Sequence, residues 1–260
     1  MQTESIYAKL GNDPYKTCDG CVVKDWCDRR NGTKPLPNRY ELNSECGGYI
    51  MLERAIELSN LPREYRNANL RSFDVDSDND TQYPMIELYL KNAVDAVKNG
   101  VNIAFIHHNK GTGKSFSACA LTNEFIYKTC TNPEWFDYEN PVALYVKFGD
   151  WCNEIRRAHQ EQRPEAFELM YSKIDQMKKV PLLVLDDIGS GRITDVIRDL
   201  TYDVIDKRKE EQKSTIYTSN FVDSILSQDD RLGEIIVSRM MYRTIVIDLG
   251  GRDRRMQYGV

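Results

Sequence analysis

Residues 103–121 read IAFIHHNKGTGKSFSACAL. An apolar run enters a polar turn, the turn ends in Gly111-Thr112-Gly113-Lys114-Ser115, and small and apolar residues then resume. A strand, a glycine-rich turn and a helix in that order make a cradle for phosphate, because backbone N–H groups and the helix N-terminus face the anion. Lysine then reaches the β- and γ-phosphates and the hydroxyl holds Mg²⁺. Gly111, Thr112, Gly113, Lys114, Ser115 and Phe116 are the candidate ATP-binding residues. The loop pattern G-x-x-x-x-G-K-[ST] puts glycine where this chain has His108. If that position needs a positive φ, histidine costs about 1–2 kcal/mol there; with negative φ it costs nothing. Either way the cradle itself is spared. His107 and His108 read as loop-entry residues.

A second motif lies about 70 residues downstream. Residues 182–187, LLVLDD, form an apolar run ending in two acids, as a buried parallel strand does. Asp186 can hold Mg²⁺, directly or through water, and Asp187 can orient and deprotonate an attacking water. Residues 214–220, STIYTSN, read as a further strand that ends on Asn220, whose amide can sit beside the γ-phosphate.

The rest of the second region alternates in the same way. Helical spacing is predicted over 85–100, 115–128, 150–160, 165–178, 193–211 and 231–241. Strands are predicted over 101–107, 142–148, 180–187, 214–220 and 243–249. Strands alternating with helices imply an α/β fold with a parallel sheet flanked by helices.

The P-loop, "LLVLDDIG", "TSN" and a late "SRM", in this order, resemble an AAA+ ATPase. More narrowly they resemble the replicative helicase loaders of the DnaC/DnaI type and their relatives, the IstB transposition ATPases. "LPREYRNANLRSF" (61–73) is similar to the lead-in segment of that group. The resemblance spans about residues 60–255. It implies a ring or spiral in which Arg239 of "VSRM" completes a neighbour's site, and an ATPase core without a helical lid. It also implies a replicative DNA helicase as partner and single-stranded DNA near Arg156 and Arg157. Arg254 or Arg255 can serve as a second phosphate-sensing arginine, or belong to a solvated basic tail. The alternatives are an IstB-like ATPase that directs a transposase and a nucleotide-gated adaptor with little hydrolysis.

The first region has other chemistry. Cys18, Cys21, Cys27 and Cys46 crowd into its 50 residues, while Cys119, Cys130 and Cys152 are scattered. A segment this short struggles to fold on an apolar core alone. Four thiolates with a C-x-x-C knuckle suit tetrahedral Zn²⁺, and an iron–sulfur cluster is the chemical rival. The expected organisation is a metal-binding domain at 1–50, docking on the helicase as the resemblance implies. A linker and lead-in follow at 51–84, with Asp/Asn/Ser-rich 74–80 as a solvated stretch, and then an ATPase core at 85–260. The net charge of −5 excludes a global basic field, so DNA contacts must be local or shared among subunits. No apolar stretch approaches the roughly 20 residues of a membrane span, and the N-terminus lacks a signal-peptide core, so a cytoplasmic chain is expected.

Overall fold

The apolar runs form five parallel strands: β1 (Asn102–Ile106), β2 (Ala143–Lys147), β3 (Leu182–Asp186), β4 (Ser214–Ser219) and β5 (Thr244–Asp248). In the sheet they lie in the order β2-β3-β4-β1-β5. This is a computed structural model, and it describes residues 47–69, 75, 79–130, 132 and 134–254. Cys18, Cys21, Cys27, Cys46, Arg255 and most of the 74–80 run lie outside the described residues.

Parallel strands need crossovers, and helices supply them. The chain runs α1 (Gly47–Leu58), α2 (Tyr83–Lys91) and α3 (Ala93–Lys98) before β1, then α4 (Lys114–Thr129) between β1 and β2. Next come α5 (Phe148–Glu161) and α6 (Pro164–Lys179) before β3, and α7 (Asp195–Glu210) before β4. The short α8 (Asp223–Leu226) and α9 (Glu234–Met240) precede β5.

The period-two alternation of each strand decides which helices it meets. Ile103, Phe105, Tyr145, Val184 and Ile216 face a core shared with α1, α2 and α4. Ala104, Ile106, Val146, Leu185 and Tyr217 face a second core built with α5, α6, α7 and α9. Both faces of the sheet are covered, which is why the strand sequences read as continuous apolar runs.

Three expectations change in detail. The helix expected over 85–100 is two helices, because Asn92 leaves helical geometry (φ −105°, ψ 19°) and caps one while opening the other. The helix expected over 231–241 begins only at Glu234, because Gly233 is extended with positive φ (85°, 157°). The segment expected as linker and lead-in contributes to the first core: Leu52, Ala55, Ile56, Leu61 and Ala68 are buried there. Burying Leu52 and Ile56 stabilises by about 1.5–3 kcal/mol each, which holds α1 on the sheet. The chain just after α1 also covers part of the edge of β2, where the Tyr145 N–H donates to the Ser59 carbonyl at 2.8 Å.

One buried cation stitches the end of the sheet opposite the P-loop. Arg208 of α7 is 1% exposed. Its guanidinium donates to the carbonyls of Met177 and Val180 at 2.7 Å, Pro181 at 3.2 Å and Ser214, and to the Thr215 hydroxyl at 2.9 Å. Burial pushes its pKa down to about 9, so it stays charged at neutral pH. Removing it would orphan several buried carbonyls at about 1–3 kcal/mol each. Arg208→Met should therefore lower unfolding stability by about 3 kcal/mol or more, read as a shift of the urea midpoint at unchanged slope. A midpoint within error of the unsubstituted protein would show that the clamp is energetically neutral.

Candidate active site

The turn after β1 folds as the sequence predicts. Gly111 and Gly113 have left-handed φ (73° and 99°), and Gly113 is the N-cap residue of α4. The first N–H groups of a 16-residue helix thus open onto the turn. Lys114 is 7% exposed, and its ammonium donates to the Asn109 carbonyl at 2.6 Å and the Thr112 hydroxyl at 3.4 Å. Among the described residues, positive φ outside glycine falls at Asn60, Gln162, Asp187, Gln212 and Arg243. His108 is not one of them, so the missing glycine leaves no backbone strain at the loop entry. His107 Nδ1 lies 2.5 Å from Asp248, and its ring stacks on His108 at 4.2 Å. His107 thereby joins the ends of β1 and β5.

The chain after β5 returns across this turn. The Arg254 N–H donates to the Gly111 carbonyl at 2.9 Å, and the Asn109 amide donates to the Gly251 carbonyl at 3.1 Å. Asp253 lies so close that a Cβ on Gly111 would come within 1.7 Å of its carboxylate oxygen. Position 111 therefore needs glycine for two reasons, conformation and the strap above it.

The two acids at the end of β3 occupy different environments. Asp186 is 4% exposed and accepts from the Tyr145 hydroxyl and the Thr218 hydroxyl, each at 2.7 Å. Asp187 lies one residue beyond the strand, half-buried, with left-handed φ of 55°. Its N–H donates to the Thr218 hydroxyl at 2.8 Å, and its carboxylate accepts from the Asn220 amide at 2.7 Å. Burial, and then the charge of Asp186, push the Tyr145 phenol well above its ordinary range. It stays protonated and donating.

One cleft brings these groups together: Lys114, Ser115, Asp186, Asp187, Asn220 and Arg254 line it. Asn60, Pro62 and Tyr65 of the lead-in segment form part of its wall. Gly111, Thr112, Gly113 and Phe116 line it too. The Ser115 hydroxyl and the Asp186 carboxylate are hard oxygen donors, the set that suits Mg²⁺ shared with substrate phosphates.

Arg239 stands apart from this cleft. On α9, its guanidinium pairs with Asp206 at 2.5 Å, donates to the Tyr202 hydroxyl at 2.9 Å and lies over that ring. Arg156 donates to the Arg192 carbonyl at 3.1 Å, while Arg157 is exposed. Cys119, Cys130 and Cys152 are buried thiols, none of them in a disulfide among the described residues. Among the described residues no helix is long and apolar enough to cross a membrane.

Sequence reasoning missed Tyr145 and Thr218. Thr218 had a signal, since it shares a strand face with Asn220 two places on. Tyr145 had none, because an aromatic in an apolar run reads as core.

Residues 50–259 match the profile of the family described as IstB-like ATP binding protein. Over 162 residues the chain is 28% identical to the replicative helicase loader DnaI of Bacillus subtilis (strain 168), a match covering 58% of this chain and 47% of that protein. Over 119 residues it is 29% identical to an ATP-binding protein of insertion sequence IS232 from Bacillus thuringiensis subsp. berliner, 44% of each. The chain thus spans less than half the length of these relatives. Among solved structures, the DnaC helicase loader superposes with TM-score 0.56 at 23% identity, over 71% of this chain and 98% of that one. The DnaI structure gives 0.56 at 24%, over 78% and 100%. At these identities the likeness is one of fold.

The strap predicts a coupled pair. Gly111→Ala should weaken binding of a fluorescent ATP analogue and lower the thermal midpoint. Adding Asp253→Ala should recover the steric share and leave only the left-handed strain of about 1–2 kcal/mol. Strictly additive effects in this double-mutant cycle would mean that Asp253 does not bear on the loop.

Proposed function

We propose, from the premise that the chain belongs to the IstB-like ATP-binding proteins, AAA+ ATPases related to the DnaC and DnaI loaders, that it hydrolyses ATP to place a replicative DNA helicase on single-stranded DNA. The observation that carries the ATPase reading is the single cleft lined by Lys114, Ser115, Asp186, Asp187 and Asn220. The relative named as a replicative helicase loader supports the loader reading.

The chain's own residues divide the work. Loop N–H groups and the Lys114 ammonium bind the phosphates of ATP. Ser115 and Asp186 would hold Mg²⁺, which when bound neutralises charge on the phosphate oxygens. Asp187, oriented by Asn220, takes a proton from water as the water oxygen bonds to the γ-phosphorus and the bond to the ADP oxygen breaks. Arg239 lies outside its own cleft, so its place in catalysis is the cleft of a neighbouring copy in a ring or spiral, once released from Asp206. Residues 1–50 would fold around Zn²⁺ on Cys18, Cys21, Cys27 and Cys46, with an iron–sulfur cluster as rival occupant, and dock on the helicase.

A second reading has its own support. The family description and the insertion-sequence relative favour an ATPase that directs a transposase. Copurification and a loading assay on single-stranded DNA with the host's replicative helicase separate the two. A chain that neither binds nor loads that helicase would leave the transposition reading.

Asp187→Asn should keep ATP affinity and lose about 10²–10⁴-fold in turnover, whereas Lys114→Ala should lose affinity itself. Arg239→Ala should bind ATP and fail to hydrolyse it, and mixing it with Lys114→Ala subunits should restore some activity. Silent mixtures, with assembly intact, would argue against a trans role. Serine at Cys18 or Cys21 should abolish helicase binding and spare basal hydrolysis, and elemental analysis should give one zinc per chain, roughly as a Cys₄ site requires. Metal-free protein, freshly purified and reduced, would remove the zinc domain.

A further inference from the structure

Tyr145 takes no part in the chemistry above, yet it stands where two hydrogen-bond systems cross. Its hydroxyl donates to Asp186 at 2.7 Å. Its backbone is held by the lead-in segment: the Tyr145 N–H donates to Ser59 at 2.8 Å, and the Asn60 amide donates to the Tyr145 carbonyl at 3.3 Å. Asn60 has left-handed φ (55°), which turns the chain so that Asn60, Pro62 and Tyr65 wall the cleft. The other end of that wall is fixed from α4, where the buried Asn123 amide donates to the Tyr65 and Ala68 carbonyls at 2.8 and 2.9 Å.

Each Asp186 oxygen accepts from one hydroxyl, Tyr145 on one side and Thr218 on the other. That leaves the carboxylate in one orientation, with its remaining lone pairs free for a cation or its water. Groups that hold a metal-binding carboxylate in this way tune the metal site although they do not touch the metal. Tyr145 also moves only as far as Ser59 and Asn60 allow. A shift of the cleft wall is therefore a shift of the hydroxyl that sets Asp186.

We infer that Tyr145 is a positioning residue, which orients Asp186 for Mg²⁺ and makes that orientation depend on the lead-in segment. The inference rests on the reading of the cleft as a Mg²⁺–nucleotide site. It extends that reading by giving the chain before the P-loop a means to govern the metal.

The test uses the full-length protein with a non-hydrolysable ATP analogue. Mn²⁺ is the probe, and free Mn²⁺ is counted by electron paramagnetic resonance. Tyr145→Phe removes only the hydroxyl. It should weaken Mn²⁺ binding about tenfold, keep analogue affinity in EDTA at the original level, and recover turnover as Mg²⁺ is raised. Asn60→Gly keeps the left-handed backbone accessible and removes the amide, and should move Mn²⁺ affinity the same way by less. Unchanged Mn²⁺ affinity in Tyr145→Phe overturns the positioning role, as does an equal loss of analogue affinity in EDTA. Unchanged Mn²⁺ affinity in Asn60→Gly alone overturns the link to the lead-in segment. If the unsubstituted protein binds no Mn²⁺ with the analogue, the cleft reading falls and this inference falls with it.

Discussion

A carboxylate at the buried end of a strand is the constraint on which the site depends. Asp186 is almost fully enclosed, and an enclosed charge is tolerated only when hydrogen-bonded or paired. Its partners come from both neighbouring strands, Tyr145 from β2 and Thr218 from β4. The order β2-β3-β4 therefore does more than close a sheet: it brings to one acid the two hydroxyls that make its burial affordable. Thr218 serves twice, donating to Asp186 and accepting from the Asp187 N–H, so the two acids share one anchor.

The parity of the strands then separates the settings of those acids. Val184 and Asp186 fall on the face that packs on α4, whose N-terminus carries Lys114 and Ser115. Asp187 would point to the opposite face if the strand continued. It leaves the strand instead in a left-handed conformation and meets Asn220. The first acid is enclosed and held by two hydroxyls, as the proposed metal-holding role requires. The second is half-buried and oriented by an amide, as the proposed proton-taking role requires.

Two arginines show how position in the fold sets chemistry. Arg208 is surrounded by carbonyls and is consumed by structure. Arg239 lies half-buried on α9 against Asp206 and Tyr202. The pair is only about a quarter exposed and is joined by the Tyr202 hydroxyl and ring, so Arg239 must exchange these contacts to meet another partner. The strap after β5 is bonded to the glycine turn by the Arg254 N–H, with Asp253 close over Gly111.

The sequence by itself determined the α/β class, the five strands and the glycine-rich turn that joins β1 to α4. Those depend on short-range regularities, such as the alternation in 182–186 or the glycines at 111 and 113, which are visible in a single chain. It also marked Asp186, Asp187 and Asn220, since polar residues that end apolar strands stand out. Helix ends were less legible: Asn92 and Gly233 broke helices that the apolar spacing carried through, because spacing records a face and not the backbone angles at one residue. Only the tertiary structure decided that Tyr145 donates to Asp186, that Asp253 lies over Gly111, that Arg239 lies away from its own cleft, and that Leu52, Ile56 and Leu61 belong to the core. Each of these pairs residues remote in sequence, and strand order brings them together. Strand order is set by how helices cover both faces of the sheet, a property of the whole chain that no local stretch encodes.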